Sequence, residues 1–180
     1  MKRRTLIYGG VAAAAALSGA AVAWRQFQPH GSPVAQSALD GAAREPFWQQ
    51  QFDTPDGASL AMASFSGQPL LVNFWATWCP PCVEELPLIN SFFLENKARN
   101  WQVLGLAVDQ PSAVRNWLQQ RPLSFPVAMA GLGGTELSKS LGNLSGSLPF
   151  TVVFGASGEL LHRKIGKLTS EDLRLWAQLA

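Results

Sequence analysis

LLVNFWATWCPPCVEELP, residues 70–87, combines a strand pattern and a helix start in one stretch. Leu70, Leu71, Val72, Phe74 and Trp75 make a short, nearly continuous apolar run, the pattern of a strand buried on both faces. After the Ala76-Thr77 step come Trp78 and the only two cysteines of the chain, Cys79 and Cys82, separated by Pro80 and Pro81. Prolines suit the first positions of a helix, where an amide proton has no intrahelical partner to lose. The spacing therefore predicts Cys79 at a helix N-terminus and Cys82 one turn further in. Free N–H groups and the positive end of the helix dipole favour thiolate over thiol there. Cysteines so placed can have their pKa lowered from about 8.5 into the range of about 3.5–7.5. Pro80 and Pro81 carry no N–H, so the Cys82 amide is the expected donor to the Cys79 sulfur.

Sulfurs this close along the chain can close a small disulfide and reopen it. The expected cycle is attack by Cys79 on a partner, a mixed disulfide, then resolution by Cys82. A C-x-x-C can also be half of a zinc site, but zinc needs a second pair of Cys or His ligands. Beyond these cysteines the chain offers only His30 and His162. A purely structural disulfide is the other alternative, and one closing so small a loop adds little stability. The residues favour redox chemistry.

VNFWATWCPPC, followed by Glu85-Leu86-Pro87, resembles the active-site segment of thioredoxin-fold proteins of the TlpA/ResA type. These are bacterial thiol-disulfide oxidoreductases, exported or membrane-anchored. The resemblance extends over about residues 47–180. It implies an α/β thioredoxin-like fold, a central mixed sheet flanked by helices, with the central insertion of the TlpA/ResA type. It implies no cofactor and no metal.

The 180 residues suffice for one domain with a substantial core. The formal charge of +2 conceals a slightly acidic body: Lys2, Arg3 and Arg4 account for three of the 14 basic side chains, set against 12 acidic ones. Nothing in this balance suggests nucleic acid. Residues 1–24 carry that basic start, an apolar run rich in Ala and Gly from Leu6, and Ala21-Val22-Ala23, an A-x-A cleavage site. Extended to Trp24, the same run is about the 20 residues that cross a bilayer, with the basic end inside. Signal peptide and retained membrane anchor both fit; family habit favours the anchor. Arg3-Arg4-Thr5-Leu6-Ile7 also resembles a twin-arginine export signal. Every alternative delivers the domain to the periplasm or another extracytoplasmic space. Residues 25–44, with Pro, Gly, Ser, Gln and Ala and no periodicity, read as a flexible linker that includes His30. Residues 45–180 are the thioredoxin-like domain.

Within that domain, Asp56-Gly57 signals a turn, with Phe52, Leu60, Met62 and Phe65 as core contacts from short leading strands or a hairpin. From Pro80 a helix is predicted to about Lys97, burying Val83, Leu86, Ile89, Phe92 and Phe93, with a kink at Pro87. Val103–Asp109 is a second buried strand. Ser112 is placed to cap a helix through Gln120, with Val114, Trp117 and Leu118 inward. A strand over Phe125–Met129 and a helix over Thr135–Leu141 follow, then the apolar run Val152-Val153-Phe154. Strands alternating with helices predict a mostly parallel sheet. Ala156–Glu159 turns a hairpin into the strand Leu160–Ile165, where His162 reads as a surface or edge residue. Thr169–Asp172 reads as a capping box opening a last helix, with Leu173, Trp176 and Leu179 inward.

The resemblance also marks Pro149, where the family carries a cis-proline beside the C-x-x-C; a proline merely opening a strand is the alternative. The backbone of Leu148 would then pair with a substrate strand, and Trp78 would shape the rim beside Cys79. Resolution by Cys82 calls for a nearby base. Thioredoxin holds a buried aspartate in the strand before the motif; here that position is Asn73, which cannot accept a proton. Glu85, one turn after Cys82, is the remaining candidate acid or base, with Glu84 beside it. The alternative for both is an ordinary acid near a helix start on a solvated face.

These readings converge on a thiol-disulfide oxidoreductase that reduces disulfides of exported proteins. The resemblance points to cytochrome c or copper-site maturation, with a membrane thiol relay as electron donor. Three alternatives use the same cysteines: a periplasmic disulfide oxidase, a Cu(I) carrier with soft sulfur ligands, and a thiol peroxidase. The carrier lacks an obvious third ligand near the motif, and the peroxidase lacks an arginine near Cys79 in sequence.

Overall fold

The computed structural model describes residues 47–179. The expected signal or anchor, residues 1–24, and the linker, residues 25–44 with His30, lie outside the described residues. The elements run β1 (Gln51–Asp53), β2 (Ser59–Ala61), β3 (Leu70–Trp75), α1 (Pro80–Asn96), β4 (Gln102–Ala107), α2 (Pro111–Gln120), β5 (Val127–Met129), α3 (Gly134–Ser140), β6 (Phe150–Phe154), β7 (Leu160–Ile165) and α4 (Ser170–Trp176). They build one sheet in the order β2-β1-β5-β4-β3-β6-β7.

The expected parallel arrangement holds only at the centre. β3–β4 and β4–β5 are parallel, whereas the β1–β2, β1–β5, β3–β6 and β6–β7 pairings are antiparallel. The sheet is mixed because tight turns such as Ala156–Glu159 return the chain antiparallel, while parallel neighbours need a helical crossover. Period-two alternation then sorts side chains to two faces. Leu70, Val72 and Phe74 pack with Leu104, Phe150 and Phe154 on one face. Leu71 and Trp75 join Val103, Val153 and the apolar sides of α1 and α4 on the other. Each fully buried large side chain contributes about 1.5–3 kcal/mol of transfer free energy. β3 is buried at all six residues, as its apolar run predicts. Asn73 is the polar exception in it, and it lies on the α1 face.

Helix α1 runs through Pro87 without interruption, and the Ser91 hydroxyl donates to the Pro87 carbonyl at 3.1 Å. Leu86, Ile89 and Phe92 are buried as expected; Val83 and Phe93 are only half-buried. Ser112 does not cap α2: the N-cap is Gln110, without a side-chain bond, and Pro111 takes the first turn. The α4 cap is as predicted, with Thr169 and Asp172 bonding reciprocally. Leu179 is exposed rather than inward, because α4 ends at Trp176 and leaves the face that Leu173 and Trp176 bury.

Candidate active site

Between β3 and α1 the chain passes through Ala76, Thr77 and Trp78 to Cys79, the N-cap of α1. A neighbouring strand holds this passage in place. Asp109, just beyond β4, accepts from the Thr77 amide at 2.8 Å and the Thr77 hydroxyl at 2.6 Å, both at Oδ2. Its Oδ1 accepts from the Gln110 amide. Asp109 had marked only a strand end in the sequence; the parallel β3–β4 pairing is what brings it beside Thr77.

Cys79 and Cys82 are joined in a disulfide. Cys79 is 5% exposed and Cys82 fully buried, while Trp78 beside them is 66% exposed. The Cys82 amide donates to the Cys79 carbonyl oxygen at 3.1 Å, not to the sulfur as expected, and the Val83 amide donates to the same oxygen at 3.2 Å. Helical backbone geometry claims that donor for the first turn.

Glu85 is the largest departure from the solvated-acid alternative. Three residues beyond Cys82, on the same face of α1, it is completely buried. Asn73 Nδ2 donates to its Oε1 at 2.7 Å, and the Leu168 amide donates to its Oε2 at 2.6 Å. Asn73 Nδ2 also donates to Thr151 Oγ1 at 3.0 Å, its cross-strand neighbour. Burial pushes the Glu85 carboxyl above its usual value; the Leu168 and Asn73 bonds, and the charges of Lys167 and Lys164, pull it part of the way back. Glu84 is exposed and pairs with Lys167 at 2.6 Å, as a surface acid does. Thr151 and the Leu168 amide were missed by sequence reasoning. Thr151 carried a signal, a polar residue inside the buried run FTVVF, as Asn73 is inside LLVNFW.

The Leu148–Pro149 peptide is cis. Phe74 pairs with Phe150, so Pro149 stands at the Trp75 end of β3, from which the cysteine segment departs. Its carbonyl accepts from the Gly166 amide at 2.8 Å. The segment before it is anchored by the buried Asn143, whose Nδ2 donates to the Ser147 carbonyl at 2.8 Å and to Ser138 Oγ at 3.2 Å. Leu148 is half-buried and packs against the cluster that holds both cysteines. Among the described residues, no group bonds to the Leu148 backbone N–H or C=O. Trp78, Val108, Asp109, Gln110, Leu132 and Thr135 line an open cleft of about 420 Å³ beside the cysteines.

His162 lies on β7, exposed, its ring stacked on Trp176 at 5.9 Å. Among the described residues, no three His, Cys, Asp or Glu side chains are grouped to hold a metal ion.

Residues 34–175 match the Redoxin family. The thiol-disulfide oxidoreductase ResA of Bacillus cereus is 30% identical over 125 residues, which covers 68% of this chain and 69% of that protein. Two solved structures share the fold at 29% identity. A thioredoxin-related protein from Neisseria meningitidis serogroup B gives a TM-score of 0.64, covering 72% of this chain and 97% of that one. A thiol:disulfide interchange protein of the thioredoxin family from Chlorobium tepidum gives 0.63, covering 73% and 92%. These matches show that the chain belongs to the Redoxin family, among its ResA-like thiol-disulfide oxidoreductases.

Proposed function

We propose that the protein reduces disulfides of exported proteins, with Cys79 attacking and Cys82 resolving. The Cys79 thiolate attacks one sulfur of the target disulfide, forms a mixed disulfide and releases one target thiolate. Cys82 then gives its proton to Glu85, and its thiolate attacks Cys79 Sγ. The second target thiolate leaves and the enzyme holds the disulfide. Two electrons and two protons from a membrane thiol relay restore the dithiol.

The surroundings of the pair support that direction. A strong oxidant is one whose reduced form is stabilised. Here Pro80 and Pro81 offer no N–H, the Cys82 amide is spent on the Cys79 carbonyl, and a buried carboxyl lies one turn deeper. Among the described residues this leaves the helix dipole as the main support for a Cys79 thiolate, which favours a dithiol that gives up its electrons. The unbonded backbone of Leu148 before Pro149 is suited to pairing with an extended target strand, and the exposed Trp78 shapes the rim beside Cys79. Cysteines of apocytochrome c or of copper-binding subunits are the target class. Residues 1–24 then export or anchor the domain outside the cytoplasm, and residues 25–44 give it reach.

The deciding experiment is the reduction potential of the full chain, equilibrated with thiol–disulfide buffers. For this couple about 30 mV corresponds to 1.4 kcal/mol. A value at or below about −270 mV, that of thioredoxin, supports the reductase. A value near −120 mV, that of the strong periplasmic oxidant, overturns it in favour of the oxidase.

A further inference from the structure

Asn73 is fully buried in the middle of β3, and its amide takes one of two possible orientations. In the orientation found, Nδ2 donates to both Glu85 Oε1 and Thr151 Oγ1. Oδ1 is buried, and among the described residues nothing donates to it. A buried acceptor without a donor costs about 1–3 kcal/mol. Turning the amide over would bring Oδ1 to the Thr151 hydroxyl, which can donate as well as accept. It would also set Oδ1 against Glu85 Oε1, and two acceptors in contact repel unless Glu85 is protonated. The orientation observed is thus the one that suits a carboxylate.

We propose that Asn73 is a positioning residue: by donating to Glu85 it holds that side chain as a lone carboxylate ready to take the Cys82 proton. An aspartate at this position would behave differently. Two carboxyls within hydrogen-bond contact share one proton and titrate as a coupled pair. An amide donates without titrating, so Glu85 ionises alone. The charged groups around it are few. From the β7–α4 segment, Lys167 is drawn to the exposed Glu84, and from β7, Lys164 is bonded to Asp172; both favour the carboxylate. From β6 comes only Thr151, which does not titrate. From α1 itself come Cys82 and Cys79. With both lysines otherwise engaged, the Asn73 and Leu168 N–H groups are the direct partners of Glu85.

This inference rests on the reading of Glu85 as the Cys82 base, and the test separates the two. Reduced full-length protein is mixed with 5,5′-dithiobis(2-nitrobenzoate) in a stopped-flow instrument. Attack by Cys79 releases one coloured thiolate; resolution by Cys82 releases the second. The pH profile of the second release, relative to the first, is measured for wild type, N73D and N73A. In N73A the profile midpoint is expected to rise. In N73D it is expected to rise by about one pH unit or more, a tenfold slowing below the midpoint, and to broaden into two ionisations. The Glu85 carboxyl is followed in parallel by ¹³C NMR in wild type and N73A. A packing role alone would lower Tm and leave every midpoint where it is; equal second-release midpoints remove the base role of Glu85 if its NMR midpoint still rises, and overturn the proposal if it does not. A midpoint that rises in N73A supports Asn73 even where E85Q leaves the second release untouched, a result that would remove only the base assignment. An unchanged NMR midpoint overturns the Asn73 role.

Discussion

A carboxyl group removed from water stays ionised only at a cost, and N–H donors must replace its hydration. Glu85 has two such donors, yet burial still leaves its carboxyl above the ordinary value of 4.5. The folded state therefore binds this proton more tightly than the unfolded state does. The stability tied to this group is fully present below about pH 4.5 and is lost as pH rises through the elevated folded value. Urea denaturation of the oxidised protein across this range is expected to show that decline, and E85Q is expected to flatten it. A slope identical in E85Q would assign the decline elsewhere. At the cysteines, C82S is expected to accumulate the Cys79 mixed disulfide with a target peptide, visible as an added mass, whereas C79S forms none. Equal trapping by both variants would reverse the assigned order of attack. The identities of these cysteines were legible in the sequence from their spacing and flanking prolines. The state of Glu85 was not: the same i, i+3 position is solvated on one helix and buried on another, depending on what packs over it.

Among the elements, α4 shows how a short helix is held. Burial pushes the Asp172 carboxyl up, but Lys164, the Thr169 hydroxyl and the Thr169 amide together hold it below its ordinary value. The Thr169–Asp172 capping box is visible in sequence because it depends only on neighbours three residues apart. Thr169→Ala is expected to cost about 1 kcal/mol, measured as a shift in urea midpoint at constant slope. Immediately before α4, three successive residues reach back to the site: Gly166 to the Pro149 carbonyl, Lys167 to Glu84 and Leu168 to Glu85. No local pattern announces these contacts, which span 17 to 83 residues. Asp109→Ala tests a similar tether on the other side of the cysteines. Loss of its charge-assisted bonds to Thr77 is expected to cost about 1.5–3 kcal/mol and to raise hydrogen exchange at Thr77 and Trp78. Unchanged exchange there would mean the segment is held by its own turn.

Across the whole molecule, the sheet carries two apolar faces, and the chain closes one of them with its own leading residues. Phe47 is buried and stacks on Phe154 at 5.1 Å, and Trp48 Nε1 donates to the Gly158 carbonyl at 3.3 Å. The β6–β7 hairpin is thus covered by Phe47 and Trp48. Phe47→Ala is expected to cost about 3–5 kcal/mol in urea unfolding, far more than a frayed terminus would. Strand and helix types followed from residues 70–87 and their apolar periods, because burial on both faces leaves its mark in composition. The mixed direction of the sheet did not, because pairing direction is set by which strands meet.

The sequence by itself determined the chemistry: two cysteines at a helix N-terminus, prolines that withhold amide donors, and a proline opening β6 in a familiar context. These are local properties, written in covalent geometry and in neighbours a few residues apart. Only the tertiary structure decided the electrostatics. It took Glu85 out of water, set Asn73 and Thr151 side by side on antiparallel strands, and brought the Leu168 amide to the second carboxylate oxygen. Desolvation depends on every element packed around a group, and no window of sequence contains that sum.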